Sequence, residues 1–311
     1  MEEKIRNIAI IGSGSAGLTA AIYSARADLS PIIITGYEEG GQLTLTTLVE
    51  NFPGFSKGVL GPELMREMRA QAEVFGAEFV FGKAESFSRE GSFFKIGLDT
   101  GDEILARTVI IASGASARFL NVPGEKELVG NGVSTCATCD GHFYKGKEVA
   151  VVGGGDSACE EALHLAKFAS KVTLIHRRDS LRASKIMQER VLSNPKIVPI
   201  WDTVVEKVGG KEGRFSHLVL KNVRTGAFSE FKADGVFVAI GHVPNTDIFK
   251  GLLEMDETGY LATDKFARTK IPGVFAAGDV SDKRYRQAIA AAGEGCKAAL
   301  EAERYLSENK I

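Results

Sequence analysis

Twice along this 311-residue chain, a short β-branched run ends in a glycine turn that opens into a helix of small residues. The first instance is residues 8–11, then Gly12-Ser13-Gly14-Ser15-Ala16-Gly17, with a helix predicted over 16–27. The second is residues 149–152, then Gly153-Gly154-Gly155-Asp156-Ser157-Ala158, with a helix predicted over 157–169. A buried strand that turns tightly into a helix begins a parallel α/β unit. Each opening is followed by a second buried-strand run, at 32–34 and 172–175, and later by an apolar strand ending in glycine, at 109–114 and 236–241. The length prior for such a chain is about two domains, and the repeated half-chain pattern supplies two.

Segments of alternating apolar and polar residues, near 78–98 and 197–231, predict a small antiparallel β insertion in each unit. A third glycine-ended strand, Val274-Phe275-Ala276-Ala277-Gly278-Asp279, and an alanine-rich helix over 287–306 have no counterpart at the end of the first unit. They most simply complete it. The expectation is therefore an α/β chain of two Rossmann-like three-layer nucleotide-binding domains. Residues 1–114 and 246–311 form a discontinuous domain, and 118–242 form a domain inserted into it. The two crossings, 115–117 and 242–245, are the candidate hinges.

The spacing GxGxxG between a strand and a helix is the dinucleotide fingerprint. Gly12 makes the turn, Gly14 lets backbone N–H groups approach a pyrophosphate, and Gly17 permits close packing of helix on strand. The following strand ends in Thr35-Gly36-Tyr37-Glu38, which offers a carboxylate and no arginine. A carboxylate suits a ribose 2′-hydroxyl and repels a 2′-phosphate, so FAD and NAD remain and NADP is disfavoured. Gly40-Gly41-Gln42 supplies a flexible backbone and an amide, and Asn51 a second amide; each suits either a flavin edge or an ordinary loop hydrogen bond.

The second turn reads GxGxxA, and its next strand ends in His176-Arg177-Arg178-Asp179-Ser180-Leu181-Arg182. Guanidinium groups fork onto phosphate oxygens, and an arginine at this position accommodates the 2′-phosphate of NADPH. Arg177 and Arg178 are the main candidates, with Arg182 expected one helical turn further on.

Cys136-Ala137-Thr138-Cys139-Asp140 lies just upstream of the second turn. A ring closed by two cysteines so near each other gains little chain-entropy stabilisation, so a structural staple explains the pair poorly. Zinc needs four ligands in a structural site, His142 is only a third, and there is no second CxxC; no metal site is expected. Reversible redox exchange fits, because CxxC motifs favour lowered thiol pKa values. Asp140 is a candidate proton donor or acceptor if burial raises its pKa, and equally a candidate turn cap. Cys159 and Cys296 fall inside predicted helices and read as small buried hydrophobes. A nicotinamide gives up a hydride and a disulfide opens by thiolate exchange, so a carrier able to do both, usually a flavin, must stand between them.

A formal charge of −2 provides no basic field for nucleic acid or an anionic membrane. The apolar run at 8–11 is too brief for a signal core or a membrane span, so the chain reads as cytoplasmic, where disulfides are more often catalytic than structural.

The motifs GSGSAG, EEGGQL, VENFPG, CATCDG, GGGDSA, HRRDSLR, AIGHVPNT and GVFAAGDVSD with YRQA occur together over essentially the whole length. The chain thereby resembles the prokaryotic-type, low-molecular-weight thioredoxin reductases. The resemblance implies a homodimeric flavoenzyme with FAD in the discontinuous domain, NADPH in the inserted one, and thioredoxin or a thioredoxin-like protein as the disulfide substrate. It implies that Asp279 meets the ribityl and phosphate region of FAD and that Arg286, Gln287 and Ala288 line the flavin. It further implies that Cys139 faces the flavin, that Cys136 attacks the partner disulfide, and that the domains rotate about the two crossings. Ser15, Ser113 and His142 depart from the residues frequent in that family at those positions; His142, beside the dithiol, is the departure expected to alter pH behaviour.

Overall fold

The computed structural model describes residues 5–46 and 48–309. It divides into two compact units, Met1–Ser116 with Val243–Ile311, and Ala117–His242.

The first unit starts with β1 (Arg6–Ile11), α1 (Ser15–Arg26) and β2 (Ile32–Ile34), followed by α2 (Gly61–Val74). Pro62 in the first turn of α2 lacks only an N–H that would go unpaired there, and Leu64, Met65, Met68 and Ala72 form its buried stripe. Then come β3 (Glu78–Val80), β4 (Ala84–Glu90), β5 (Phe93–Leu98) and β6 (Glu103–Ile111). β3, β2, β1 and β6 run parallel in that order, and β5 and β4 continue the sheet antiparallel. The segment expected to be one antiparallel meander is thus split: residues 78–80 are a parallel edge strand, and only 84–98 form the hairpin. Three residues are too few for alternation to tell the two apart.

In the second unit α3 (Ala137–Asp140) precedes β7 (Glu148–Val152), α4 (Asp156–Leu165), β8 (Lys171–Ile175), α5 (Lys185–Leu192) and β9 (Ile197–Ile200). An antiparallel meander follows, β10 (Thr203–Lys211), β11 (Arg214–Asn222) and β12 (Phe228–Lys232), then β13 (Gly235–Val238). β13, β7, β8 and β9 are parallel neighbours. Again the first residues of the expected meander belong to the parallel sheet instead.

The chain then returns to the first unit, where β14 (Val274–Ala276) pairs parallel with β6 and α6 (Ala288–Glu308) ends the described fold. At the crossings each unit ties its own ends together. Asn245 N–H donates to the Gly114 carbonyl at 3.0 Å, and Arg118 N–H donates to the Gly241 carbonyl at 2.9 Å.

Both parallel sheets are covered on two faces, which is why their strands read as unbroken apolar runs. Ile8 and Ile10 point into a core with α1 and α6, while Ala9 and Ile11 point into one with Phe87, Phe94 and Phe249. The period of two repeats in the second unit: Val149 and Val151 face α4, and Ala150 and Val152 face the meander side chains Val208, Leu218 and Leu220. Each unit is therefore three layers, helices, parallel sheet and antiparallel strands. Among the described residues no helix is long and apolar enough to cross a membrane.

Contact between α1 and α6 rests on missing side chains. A Cβ on Gly295 would lie 2.1 Å from the Ala16 carbonyl oxygen, whereas one on Gly293 would meet nothing within 4 Å. Alanine is the better helix former at both positions. Gly293→Ala should raise stability in urea unfolding by roughly 0.5–1 kcal/mol, while Gly295→Ala should lower it by at least about 1–3 kcal/mol. Equal effects would show that α6 does not pack as described.

Candidate active site

The glycines of the first turn serve two purposes. Gly12 has φ +113°, and a Cβ there would lie 2.3 Å from the Ala112 carbonyl oxygen; a Cβ on Gly17 would lie 1.9 Å from the Gly12 oxygen. These two are required by the chain's own packing. Gly14 has φ −71° and ψ −176°, open to any residue, and a Cβ on it would meet nothing within 4 Å. The first turn of α1 starts beside that space with no side-chain cap. Bare helix N–H groups facing open room suit a pyrophosphate.

The remaining residues expected at this site gather around the turn. The Ser13 hydroxyl is buried, donating to the Thr35 carbonyl at 2.8 Å and accepting Gly40 N–H at 3.1 Å. Thr35 donates to the Gly36 carbonyl at 2.9 Å, so both hydroxyls shape the loop. Gly41, at φ +63°, brings the loop to Gly14: a Cβ on it would be 3.4 Å from the Gly14 Cα. Ser15 and Ala16 are buried at the start of α1, and Glu38 and Gln42 are exposed. From the returning chain, a Cβ on Gly278 would lie 2.9 Å from the Ala16 Cβ, which places Asp279 next to the start of α1. Burial, then the charge of Asp282, pushes Asp279 up to about 6. Gly278 N–H donates to Glu294 at 2.7 Å, a supporting residue that motif reading missed. Asn51 donates to the Gln287 Oε1 at 3.2 Å across 236 residues of sequence, and the Gln287 amide donates to the Arg286 carbonyl at 3.0 Å. Ala288 is the first residue of α6.

The second turn repeats the division. A Cβ on Gly153 already sits too close for comfort to the Ala239 oxygen, at 2.4 Å, while one on Gly155 would meet nothing within 4 Å. Ala158, fully buried, fills the place of the third glycine. α4 also begins without a side-chain cap. Ser157 is half-buried in its first turn, and Asp156 there accepts both the Ser184 N–H at 2.9 Å and its hydroxyl at 2.8 Å, which pins the loop after β8.

That loop corrects one expectation. Arg182 is not a helical turn beyond Arg178, because residues 176–184 are irregular and helix α5 starts only at Lys185. Arg182 is instead fastened by its backbone, whose N–H donates to the Gly154 carbonyl at 2.7 Å. His176 is buried, unlike the arginines that follow it: its ring packs under Gly154, where a Cβ would lie 2.2 Å from it. Burial, then the charges of Arg182, Arg177 and Arg178, holds it below its ordinary pKa, and its Nε2 has no hydrogen-bond partner among the described residues. Arg177, Arg178 and Arg182 are exposed, and none has a side-chain partner among the described residues. The acids close by are already taken, since Arg224 pairs with Asp179 at 2.8 Å and with Asp202 at 2.9 Å. Free guanidinium groups beside an open glycine turn fit a 2′-phosphorylated dinucleotide.

Cys136 and Cys139 form a disulfide with Cα atoms 5.4 Å apart. The Cys136 sulfur occupies the N-cap of α3 and accepts Cys139 N–H at 3.2 Å, while Cys136 N–H donates to the Ser134 hydroxyl at 3.0 Å. Cys139 is exposed. Asp140 makes no cap to the turn that follows. Burial raises its pKa against the lowering effect of a hydrogen bond with Ser134. Burial, then Asp140 and Asp234, pushes Tyr144 up to about 12. Cys159 is buried as expected, and burial pushes its thiol up to about 11; Cys296 is only half-buried and hydrogen-bonds Tyr23 on the neighbouring helix. No group of three metal-ligating side chains exists among the described residues.

This combination of two nucleotide cradles and a dithiol has known counterparts. Residues 6–295 match the pyridine nucleotide-disulphide oxidoreductase family. The chain is 51% identical over 304 residues to a thioredoxin reductase of Rickettsia felis, covering 97% of this chain and 98% of that one. It is 51% identical over 305 residues to a thioredoxin reductase of Streptomyces coelicolor, with 97% and 94% covered. The crystal structure of thioredoxin reductase from Streptococcus pyogenes matches it with a TM-score of 0.94 at 43% identity, covering 98% of this chain and 99% of that one. The chain belongs to the thioredoxin reductases of the pyridine nucleotide-disulphide oxidoreductase family.

Proposed function

We propose that residues 1–114 with 246–311 hold FAD, that 118–242 hold NADPH, and that the chain passes two electrons from NADPH to the Cys136–Cys139 disulfide and on to the disulfide of thioredoxin or a thioredoxin-like protein. The observation that carries this reading is the pair of open second glycines, Gly14 and Gly155, each beside an uncapped helix but followed by opposite charges. Glu38 after β2 favours a ribose hydroxyl; Arg177, Arg178 and Arg182 after β8 favour a phosphate. FAD, when bound, supplies the carrier that accepts a hydride and returns two electrons to a disulfide. The protein's own residues do the positioning: Ser13 and Gly41 shape the first cradle, Asp279 and the Asn51–Gln287 pair close it, and Asp156 holds the arginine loop of the second.

Once the pair is reduced, the Cys136 thiolate attacks one sulfur of the partner disulfide, and the other leaves as a thiolate that takes up a proton. Cys139, as thiolate, then attacks the Cys136 sulfur of the mixed disulfide, which re-forms the Cys136–Cys139 bond and releases the second partner thiol. Asp140, which follows Cys139 and whose pKa is raised by burial, serves as the proton source. The chain works as a homodimer in the cytoplasm, a reading supported by the family resemblance and by the catalytic use of a disulfide there. A dithiol oxidase that passes electrons to oxygen has no need of the arginines after β8, and no observation favours it.

Four outcomes are expected. Gly14→Ala should leave the melting curve of the apoprotein unchanged yet weaken FAD retention, and Gly155→Ala should do the same for NADPH; unaltered binding in both would mean the open room is not where the phosphates lie. The double variant Arg177→Ala with Arg178→Ala should lose on the order of a hundredfold in kcat/KM for NADPH while NADH use changes far less, and equal losses would contradict the assignment. Cys136→Ser should abolish partner reduction; retained turnover would move the chemistry to another group. Because the protonated form of Asp140 donates, partner reduction should decline as pH rises through its raised pKa. Asp140→Asn should flatten that limb and slow turnover by roughly a hundredfold, and an unchanged pH profile would remove the role.

A further inference from the structure

Two acids stand beside the arginine loop of the second cradle, and one guanidinium group holds both. Asp179 follows Arg178 directly in the chain, and the Asp202 N–H donates to the Arg178 carbonyl at 3.1 Å. Arg224, in the turn between β11 and β12, reaches Asp179 Oδ2 through Nη2 at 2.8 Å and Asp202 Oδ2 through Nε at 2.9 Å. A planar fork with several fixed donors spans two carboxylates in a way that a lysine ammonium does not.

The turn that carries Arg224 is itself fixed. The Asn222 Oδ1 accepts the N–H groups of Arg224 and Thr225, both at 3.0 Å. Val223 N–H donates to the Asp202 carbonyl at 2.6 Å, so the meander is stitched by its backbone to the loop after β8 without any help from the Arg224 side chain. That side chain and Asp179 are exposed, and exposed ion pairs add little to folding stability. Stability is thus a weak reason for a guanidinium group that bridges two acids here. Asp179 stays ionised, its carboxyl held below the ordinary range by the Ser180 hydroxyl first and then by Arg224.

Resting on the reading of Arg177 and Arg178 as the phosphate ligands, we propose that Arg224 is a positioning residue for cofactor choice: by holding Asp179 and Asp202 it keeps both acids off the guanidinium groups that receive the 2′-phosphate of NADPH. Arg177 and Arg178 themselves make no side-chain hydrogen bond or ion pair among the described residues, as this arrangement requires. Once released, Asp179 would pair with the neighbouring arginines and repel the phosphate. Even in water, a unit charge about 4 Å from another changes affinity roughly fivefold. A dinucleotide with a free 2′-hydroxyl carries no charge at that place, so NADH is spared.

The test titrates the holoenzyme by calorimetry with 2′,5′-ADP, which carries the 2′-phosphate, and with 5′-AMP, which lacks it, alongside kcat and KM for NADPH and NADH. Arg224→Gln should weaken 2′,5′-ADP about three- to tenfold and raise KM for NADPH with kcat little changed, while 5′-AMP binding and the urea midpoint stay at the parent values. Adding Asp179→Asn and Asp202→Asn to Arg224→Gln should restore 2′,5′-ADP binding to the parent value or better. Asparagine suits the left-handed backbone at position 202, where φ is +51°. Lys221→Gln removes one positive charge from β11, where Lys221 faces Glu206 at 3.6 Å, and should match the parent. The proposal is overturned if Arg224→Gln binds 2′,5′-ADP as the parent does, or loses 5′-AMP equally, which is the mark of a structural role. A triple variant as weak as Arg224→Gln would make Arg224 itself a phosphate ligand, and an equal loss in Lys221→Gln would reduce the effect to net charge; either result also overturns it. Arg177→Ala with Arg178→Ala, measured alongside, should abolish the preference for 2′,5′-ADP. A preference that survives there sinks the reading of the arginines, whereas its loss beside an unaffected Arg224→Gln sinks this proposal alone.

Discussion

Close approach of backbone to backbone at the two glycine turns is the constraint on which the rest of this molecule depends. Gly12 lies against the end of β6 at Ala112, Gly17 against Gly12, and Gly153 against Ala239 just past β13. Those contacts fix where each helix begins relative to its sheet, and so fix the direction in which its N–H groups point. The middle glycines, Gly14 and Gly155, carry none of this packing. Their lack of a side chain makes sense only as room for something that comes very near the backbone.

The same backbone device is used twice, and the difference between the two sites is made by a few side chains at the next strand end. Glu38 ends the β2 side with a negative group, while the loop after β8 collects three arginines and disposes of its own acids through Arg224. Were Asp179 and Asp202 free, they would compete with a phosphate for the guanidinium groups. His176, neutral and buried, supports the turn from beneath and adds no charge to the site.

Much of this was legible in the residues because local physics dictates it. A strand, a tight glycine turn and a helix must come in that order, and the charge after the second strand must match the ligand. What was not legible depended on tertiary contact or on short segments. Residues 78–80 and 197–200 alternate too briefly to distinguish a parallel edge from a meander. Arg182 looked helical by spacing, but the bonds of Asp156 to Ser184 and of Arg182 to Gly154 hold the segment as a loop. Cys296 looked buried by its helix, yet only its packing against Tyr23 shows how open it is. Asn51 and Gln287 were both named for one site, but nothing in sequence joins them across 236 positions. Glu161, whose Oε2 accepts the Ala137 N–H at 2.9 Å, was missed altogether, since a single acid on an ordinary helix carries no signal until the turn it grips is seen.

The central claim is that electrons cross this chain in one order, from a phosphorylated nicotinamide to a flavin to a pair of sulfurs to a partner. Anaerobic titration of the holoprotein, first with NADPH and then with oxidised thioredoxin, tests that order most directly. The account predicts that the yellow colour bleaches on the first addition and recovers on the second, with thioredoxin thiols appearing in step. A protein that stays yellow with excess NADPH, or that bleaches and does not recover when oxidised thioredoxin is added, would contradict it.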